Sequence, residues 1–299
     1  MNKIVFVIIL SLIFLSCTRE NGTSSNPAPG NKRSQIASSG PEDPLLHYWD
    51  NFDFADTLAV KNPELGEQAL VNFIAKFSNV EDTIRSSSIK KMLSKAKPYP
   101  TTLAYFSSQF ERYLYDPNSP MRNDSYYEPV LEFLLDSCML NDAEKYRYQS
   151  LLKLIRKNSV GTPASDFDFQ LPKGNSSKLY AVKAPYTLLF FYEPGCPHCD
   201  EAIGQLKNNP DFQQLIDNGG LQMLAIYAAG DFKVWKAYQP NIPVSWMNGF
   251  DTDRQILSQA IYDLKASPTI YLLDKDKVVL LKDKGLSEVA SYLHFKPFD

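Results

Sequence analysis

Two cysteines separated by two residues stand near the middle of the chain, in the motif Cys196-Pro197-His198-Cys199. An apolar run at 187–192 precedes them and indicates a buried strand, and a helical pattern follows. The first sulfur is therefore expected at a helix N-terminus, where unpaired N–H groups and the helix dipole favour a thiolate over a thiol. A protonated His198 would act in the same direction. This arrangement is typical of thiol–disulfide exchange.

Other uses of a Cys-x-x-Cys pair fit this sequence less well. A structural zinc site needs four ligands, whereas the chain has one such pair and only three histidines, His47, His198 and His294. Covalent haem needs a histidine directly after the second cysteine, where this chain has Asp200. A plain structural disulfide stays open as an alternative, although the position after a buried strand favours a redox pair. We therefore predict neither a cofactor nor a metal.

The composition is that of a globular protein with one large or two ordinary domains. The chain has 299 residues, of which 44% are hydrophobic and 22% are charged. The net charge of −3 and the lack of a Lys/Arg block argue against a nucleic-acid partner. Four cysteines are too few for a disulfide-stapled scaffold of this length, and we expect Cys138, which shares a helical face with leucines, to be a core residue.

The N-terminus has the pattern of an export signal. After Met1-Asn2-Lys3, an almost unbroken apolar run covers residues 4–15 and is too short to span a bilayer comfortably. Ser16 and Cys17 follow, and a small residue before a cysteine resembles the lipobox of bacterial lipoproteins. The resemblance implies a signal peptide at 1–16 and a lipid anchor on Cys17. An ordinary secretory signal is the alternative reading.

The remainder divides into three regions by its sequence pattern. Residues 17–43 are dominated by Ser, Asn, Gly, Pro and Thr, which predicts a flexible linker. Residues 44–158 have helical periodicity and predict a small all-α domain of about five helices, including 82–96, 101–115, 124–140 and 142–157. Residues 159–299 alternate strand-like and helical runs, which predicts an α/β domain with a central mixed sheet flanked by helices. Its predicted strands are 187–192, 221–227, 269–273 and 278–281, and one of its predicted helices is 252–262.

Four features of this last domain together resemble the thioredoxin superfamily, and most closely the envelope thiol–disulfide oxidoreductases of the TlpA/ResA type. They are the opening element at 161–167, the strand leading into Cys196-Pro197-His198-Cys199, the stretch with Trp235, 242–246 and Asp251, and the segment at 267–274 that begins Ser267-Pro268-Thr269. The resemblance implies a thioredoxin-like fold for residues 159–299.

The resemblance also implies a role for each residue of the motif. Cys196 would be the exposed nucleophile, and Cys199 would be the resolving thiol that releases the mixed disulfide. Pro197 suits the first helical position, where no needed N–H is lost. His198 would stabilise the thiolate of Cys196, which makes the disulfide more oxidising. A solvated His198 with little influence on the sulfur is the alternative.

The segment Ser267-Pro268-Thr269 resembles the cis-proline loop of the same superfamily. There the peptide bond before the proline is cis and lies against the two cysteines. This would turn the backbone of Ser267 outward, so that a substrate strand can pair beside the active sulfur. We therefore expect Ser267, Pro268 and Thr269 to bind substrate.

Two departures from the superfamily pattern concern the direction of electron flow. Thioredoxin has a buried Asp in the strand before its cysteine pair, and the corresponding position here is about Phe190. The tryptophan usually found before the first cysteine is Gly195. Glu193 is the nearest carboxylate, and we read it as an exposed loop residue rather than a proton shuttle. Oxidase, isomerase and reductase activities therefore all stay open.

The opening of the helical domain, residues 48–56, resembles an uncharacterised domain that precedes TlpA-like modules in Bacteroidota lipoproteins. Taken together, these patterns predict a lipid-anchored envelope protein, facing the periplasm, that exchanges disulfides with protein thiols and with an unidentified redox partner. The alternative is a lipid-anchored binding or scaffold module whose helical domain captures a partner.

Overall fold

The computed structural model describes residues 43–137 and 139–295. The predicted signal peptide at 1–16, with Cys17 after it, nearly all of the predicted linker at 17–43, and Cys138 lie outside the described residues. Among the described residues, no helix is both long enough and apolar enough to cross a membrane.

The first part of the described chain is helical, as predicted. Short 3₁₀ segments lie at Pro44–His47 and Phe77–Asn79, and a π-helical turn lies at Pro63–Glu67. The α-helices are α1 (Thr57–Lys61), α2 (Gln68–Ile74), α3 (Asp82–Ala96), α4 (Pro100–Leu114), α5 (Asp124–Asp136) and α6 (Asp142–Arg156). Their core is rich in aromatic rings, and Trp49 packs edge-on against Phe106 with 5.5 Å between the ring centroids.

The second part forms a seven-stranded mixed sheet flanked by helices, which confirms the predicted fold class. The strands are β1 (Asp168–Gln170), β2 (Ser176–Lys178), β3 (Tyr186–Phe191), β4 (Leu221–Tyr227), β5 (Met247–Phe250), β6 (Thr269–Asp274) and β7 (Val279–Lys282). The helices are α7 (Pro197–Asn208), α8 (Pro210–Asp217), α9 (Phe232–Tyr238), α10 (Gln255–Ser258) and α11 (Leu286–Tyr292). The strand order is β2-β1-β5-β4-β3-β6-β7, with β3, β4 and β5 parallel and the other pairs antiparallel.

The sheet is buried on both faces at its centre, around β3. Because successive strand residues point to opposite faces, Leu188 and Phe190 pack into the core cluster on the α7 side, whereas Leu189 and Phe191 pack into the cluster on the other side. All four side chains are no more than 2% exposed. The strand that leads to the cysteine pair is therefore held rigidly.

Buried ion pairs join the helical part to the sheet part. Lys265 Nζ lies 2.5 Å from Asp124 Oδ1 at the start of α5, and Lys282 Nζ of β7 lies 2.9 Å from Asp124 Oδ2. Lys265 Nζ is also 3.5 Å from a carboxylate oxygen of both Asp263 and Asp283. The five side chains are at most 13% exposed, so these charges depend on one another for compensation. We call them the interdomain charge cluster.

Candidate active site

The end of β3 and the start of α7 position the two cysteines. Gly195 has a φ of 80°, a region that suits glycine, and this lets the chain turn sharply from the strand into the helix. Cys196 is the N-cap residue of α7, and Pro197 occupies the first turn. The Cys196 N–H donates to the Glu193 carbonyl at 3.1 Å and closes the turn. The predicted placement of the first cysteine at a helix N-terminus is therefore confirmed.

The segment before β6 lies directly against the first cysteine. The Ser267–Pro268 peptide bond is cis, as predicted. Cys196 is partly exposed, and its Sγ lies 3.4 Å from the Ser267 carbonyl oxygen, within hydrogen-bonding distance for a thiol. The structure thus brings Cys196 together with Ser267 and Pro268. Cys196 and Ser267 are 71 residues apart along the chain.

Thr269 differs from its expected role. Its side chain is fully buried, and its hydroxyl donates to the Ala266 carbonyl at 2.6 Å. Its backbone pairs with Phe191 in the sheet. The side chain therefore stabilises the loop through its hydrogen bond to Ala266. It does not face a substrate, because it is buried.

Cys199 lies one helical turn further into the protein and is fully buried. Burial raises the pKa of its thiol to about 12, and a hydrogen bond with Cys196 acts in the same direction, whereas a backbone hydrogen bond at Glu193 lowers it. The pair thus consists of one accessible sulfur and one sulfur that the fold keeps protonated. This asymmetry fits the predicted division into attacking and resolving cysteines.

His198 projects into solvent. Its side chain is 82% exposed, and its Nδ1 lies 4.0 Å from the carboxylate of Glu201 one turn along α7. Water and a neighbouring carboxylate both weaken the field that a protonated imidazole exerts on a nearby sulfur. Glu193 is an exposed loop residue, as expected, and partial desolvation raises the pKa of its carboxyl.

A groove of about 450 Å³ opens beside His198, the residue directly before Cys199. Its lining includes His198 on α7, together with Ser267 and Pro268. Pro117 and Asn118 of the helical part also line it, as does Arg122. The sequence patterns did not point to these three residues, because no local motif marks the loop that carries them.

Comparisons with known proteins agree with this geometry. Residues 45–158 match the model of a domain of unknown function, DUF5106, and residues 160–282 match the model of the AhpC/TSA family. A thioredoxin-like protein from Bacteroides caccae is 39% identical in sequence and covers 89% of this chain and 96% of its own, with a TM-score of 0.81. The chain belongs to the thioredoxin-like proteins.

Two further structures each match 46% of this chain. The C-terminal domain of an uncharacterized protein from Bacteroides fragilis is 41% identical over 46% of this chain and 98% of its own, with a TM-score of 0.45. A domain of a possible thiol-disulfide isomerase from Cytophaga hutchinsonii is 26% identical over 46% of this chain and 93% of its own, with a TM-score of 0.42. No curated protein matches the chain significantly.

Beneath the cysteine pair, this thioredoxin-like protein has a hydrogen-bonded group that sequence reasoning missed. Asn248 of β5 is buried, and its side-chain oxygen accepts hydrogen bonds from the Tyr192 hydroxyl at 2.9 Å and the Trp235 indole N–H at 3.1 Å. Tyr192 also stacks on Tyr238, whose hydroxyl donates a short hydrogen bond to Asp200 of α7. These contacts tie the start of α7 to β5, to α9 and to the residue that follows β3.

The position that corresponds to the buried Asp of thioredoxin is apolar in this structure. Phe190 is fully buried and packs edge-on against Trp246, with 6.0 Å between the ring centroids. Its side chain offers no proton to the cysteine pair. Among the neighbours that influence Cys199, the acidic side chain is that of Asp200, which follows it directly in α7.

Proposed function

We propose that this thioredoxin-like protein is a thiol–disulfide oxidoreductase that acts on the cysteines of other envelope proteins through Cys196 and Cys199. The contact between Cys196 Sγ and the Ser267 carbonyl carries the proposal. It places an accessible sulfur beside the backbone of a loop that a substrate chain can approach. The buried thiol of Cys199 lies within one helical turn of the same sulfur.

The exchange proceeds through two thiol–disulfide exchange steps. In the reducing direction, the Cys196 thiolate attacks a substrate disulfide, a mixed disulfide forms, and one substrate thiolate leaves. Cys199 then gives up its proton and attacks Cys196 Sγ, which releases the second substrate thiolate and forms the Cys196–Cys199 disulfide. Two electrons pass from the pair to the substrate, and the released thiolates take up two protons. The oxidising direction breaks and forms the same bonds in reverse.

The reduction potential of the pair determines the direction of exchange. A value of about −270 mV supports a reductase, and one of about −120 mV supports an oxidant. The exposure of His198 and its proximity to Glu201 favour a modest influence of that residue on the potential. Replacing His198 by Ala tests this, since a large shift in the potential would contradict it.

We also propose that the protein is held at a membrane by a lipid on Cys17, facing the periplasm. The apolar run at 4–15, followed by Ser16 and Cys17, supports this placement. Metabolic labelling with a radioactive fatty acid should label the full chain and leave Cys17→Ala unlabelled. Labelling that survives in Cys17→Ala would refute the anchor.

The exchange activity is tested by trapping in cells. In Cys199→Ala no thiol is present to attack the mixed disulfide at Cys196. Envelope proteins should therefore accumulate as mixed disulfides on Cys196, and a reductant should release them. Cys196→Ala is the matched control and should trap nothing. Purified wild-type protein should also catalyse the reduction of insulin by a thiol. If the trap is empty and the insulin assay is negative, the chain is a binding module rather than an enzyme.

A further inference from the structure

The loop that brings the helical domain to the groove is shaped by its own hydrogen bonds. The Asn118 N–H donates to Asp116 Oδ1 at 2.8 Å, and the Ser119 hydroxyl donates to the Tyr113 carbonyl at 2.6 Å. Further along, the Asn123 N–H donates to the Leu114 carbonyl at 2.8 Å. Because the loop is organised in advance, contact with it costs a ligand little ordering entropy.

The same loop is fixed relative to the cis-proline loop. Arg122 Nε of the helical part lies 3.3 Å from Oδ2 of Asp283, the residue that follows β7. Two residues after Arg122, Asp124 enters the interdomain charge cluster through Lys265. Lys265 in turn is two residues before Ser267. The two sides of the groove are therefore held together by a short and largely buried set of ion pairs.

The lining of the groove combines apolar and polar groups without a dominant charge. Arg122 and Lys284 are cationic, whereas Glu201, Asp283 and Glu288 are anionic. The apolar part of the lining comprises Pro117, Ala202, Ala266, Pro268, Ile270 and Leu286. Such a surface suits a polypeptide segment, whose amides bond polar groups while its side chains cover apolar ones, better than a small molecule of high charge. A volume of about 450 Å³ lies within the range of ligand-binding sites.

We propose that the helical domain forms one wall of the substrate-binding site, and that the groove binds an extended polypeptide segment next to the substrate's reactive cysteine. This rests on the proposed exchange activity, since it names what the same site binds. Pro117 and Asn118 contact substrate residues near that cysteine, while Ser267 and Pro268 contact the cysteine itself. The helical domain thereby favours disulfides within polypeptides over those of small molecules.

Photo-crosslinking tests where the substrate lies. A peptide with one cysteine and a photoreactive residue close to it is coupled to Cys196 of the Cys199→Ala protein as a mixed disulfide, irradiated, and mapped by mass spectrometry. Adducts on residues 115–123 are the expected result. Adducts confined to residues 159–295 would overturn the proposal. Failure to form the mixed disulfide would instead overturn the proposed function, and this proposal with it.

Kinetics of groove variants provide an independent test. Asn118 is exposed, so Asn118→Trp places a large ring in the groove, and the ratio of kcat/KM for a peptide disulfide to that for a small aromatic disulfide should fall by about tenfold or more. Asn118→Ala removes the side-chain Nδ2 bond to Asp116 and the side-chain contact with substrate but leaves the groove open, so it should lower the ratio less than Asn118→Trp does. Asn51→Trp, an exposed position of the helical domain outside the groove lining, is the matched control. An unchanged ratio in Asn118→Trp, or an equal loss in Asn51→Trp, would overturn the proposal.

Discussion

Raising the pH tests how firmly the fold keeps Cys199 protonated. The side chain is fully buried, and burial is the largest cause that raises the pKa of its thiol to about 12. An ordinary thiol would ionise near 9.0. Between these two values the folded, reduced protein keeps a proton that an ordinary cysteine would have lost.

This proton has a measurable effect on the reduction potential of the pair. For a two-electron couple, each proton bound on reduction lowers the potential by about 30 mV per pH unit. Because the reduced pair retains the proton of Cys199, this proton should lower the potential by about 30 mV per pH unit up to about pH 12. With an ordinary pKa at Cys199, the contribution of this proton to the pH dependence would disappear above about pH 9. Over two pH units the two cases differ by about 60 mV.

The assay equilibrates the protein with a thiol–disulfide buffer of known potential at each pH. The reaction is then stopped with acid, free thiols are alkylated, and the reduced fraction is counted by mass. Circular dichroism at each pH confirms that the protein is folded. A potential that levels off between about pH 9 and 10 in the folded protein would refute the reasoning, because it would mean that burial does not hold the proton on Cys199.

Three further substitutions test the packing. Lys265→Met removes the cation that pairs with three buried carboxylates, and it should reduce the free energy of unfolding by about 3–5 kcal/mol in urea titrations. A loss below about 1 kcal/mol would contradict the buried pairing. Burial lowers the pKa of Lys277, and its Nζ donates to the neutral Thr187 hydroxyl rather than to a carboxylate. Because the buried charge is not compensated, Lys277→Met should leave the urea midpoint unchanged or raise it, and a clear fall would contradict this. Phe106→Ala empties a fully buried site beside Trp49 and should cost about 3–5 kcal/mol, and a cost near zero would show that this ring is not part of the core.

The long helices were predictable because their signals are local. Helix α6 begins with a capping box in which Asn141 and Glu144 bond each other's backbone, and α4 has Pro100 in its first turn. Apolar residues at spacings of three and four then mark the buried face, as Phe106 and Phe110 do in α4. Each of these signals lies within the helix that it predicts or directly before its first residue.

Strand β5 was missed because its sequence is atypical of a strand. It contains Asn248 and Gly249, both of which disfavour strands in isolation. Tertiary contacts explain both residues. Asn248 accepts two buried hydrogen bonds, and a Cβ at Gly249 would come within 2.5 Å of the Ile226 side chain on the neighbouring strand. The predicted helix at 252–262 was wrong in extent, because only Gln255–Ser258 is α-helical. Ala260 has a φ of 46°, which no α-helix residue adopts.

The cysteine motif and the cis-proline were also readable from the sequence, since each is a short pattern. The contribution of the helical domain to the groove was not, because it depends on contacts between distant residues. Asp124 and Lys265, for example, are 141 residues apart, and neither belongs to a motif. Charged residues usually indicate a solvated surface, so their burial in an interface can only be seen once the two parts of the chain are docked.

The interdomain charge cluster has a consequence for the chemistry of the site. Removing these charges from water costs several kcal/mol per ion, and their mutual attraction does little more than offset that cost. Such an interface adds modest net stability but tolerates few alternative geometries, because a displaced charge is left buried and unpaired. Lys265 belongs to this cluster, and two residues later the Ser267 carbonyl contacts Cys196 Sγ. The docking of the helical domain therefore constrains the loop against which the reactive sulfur lies, so under our proposal both walls of the groove keep a fixed position relative to Cys196.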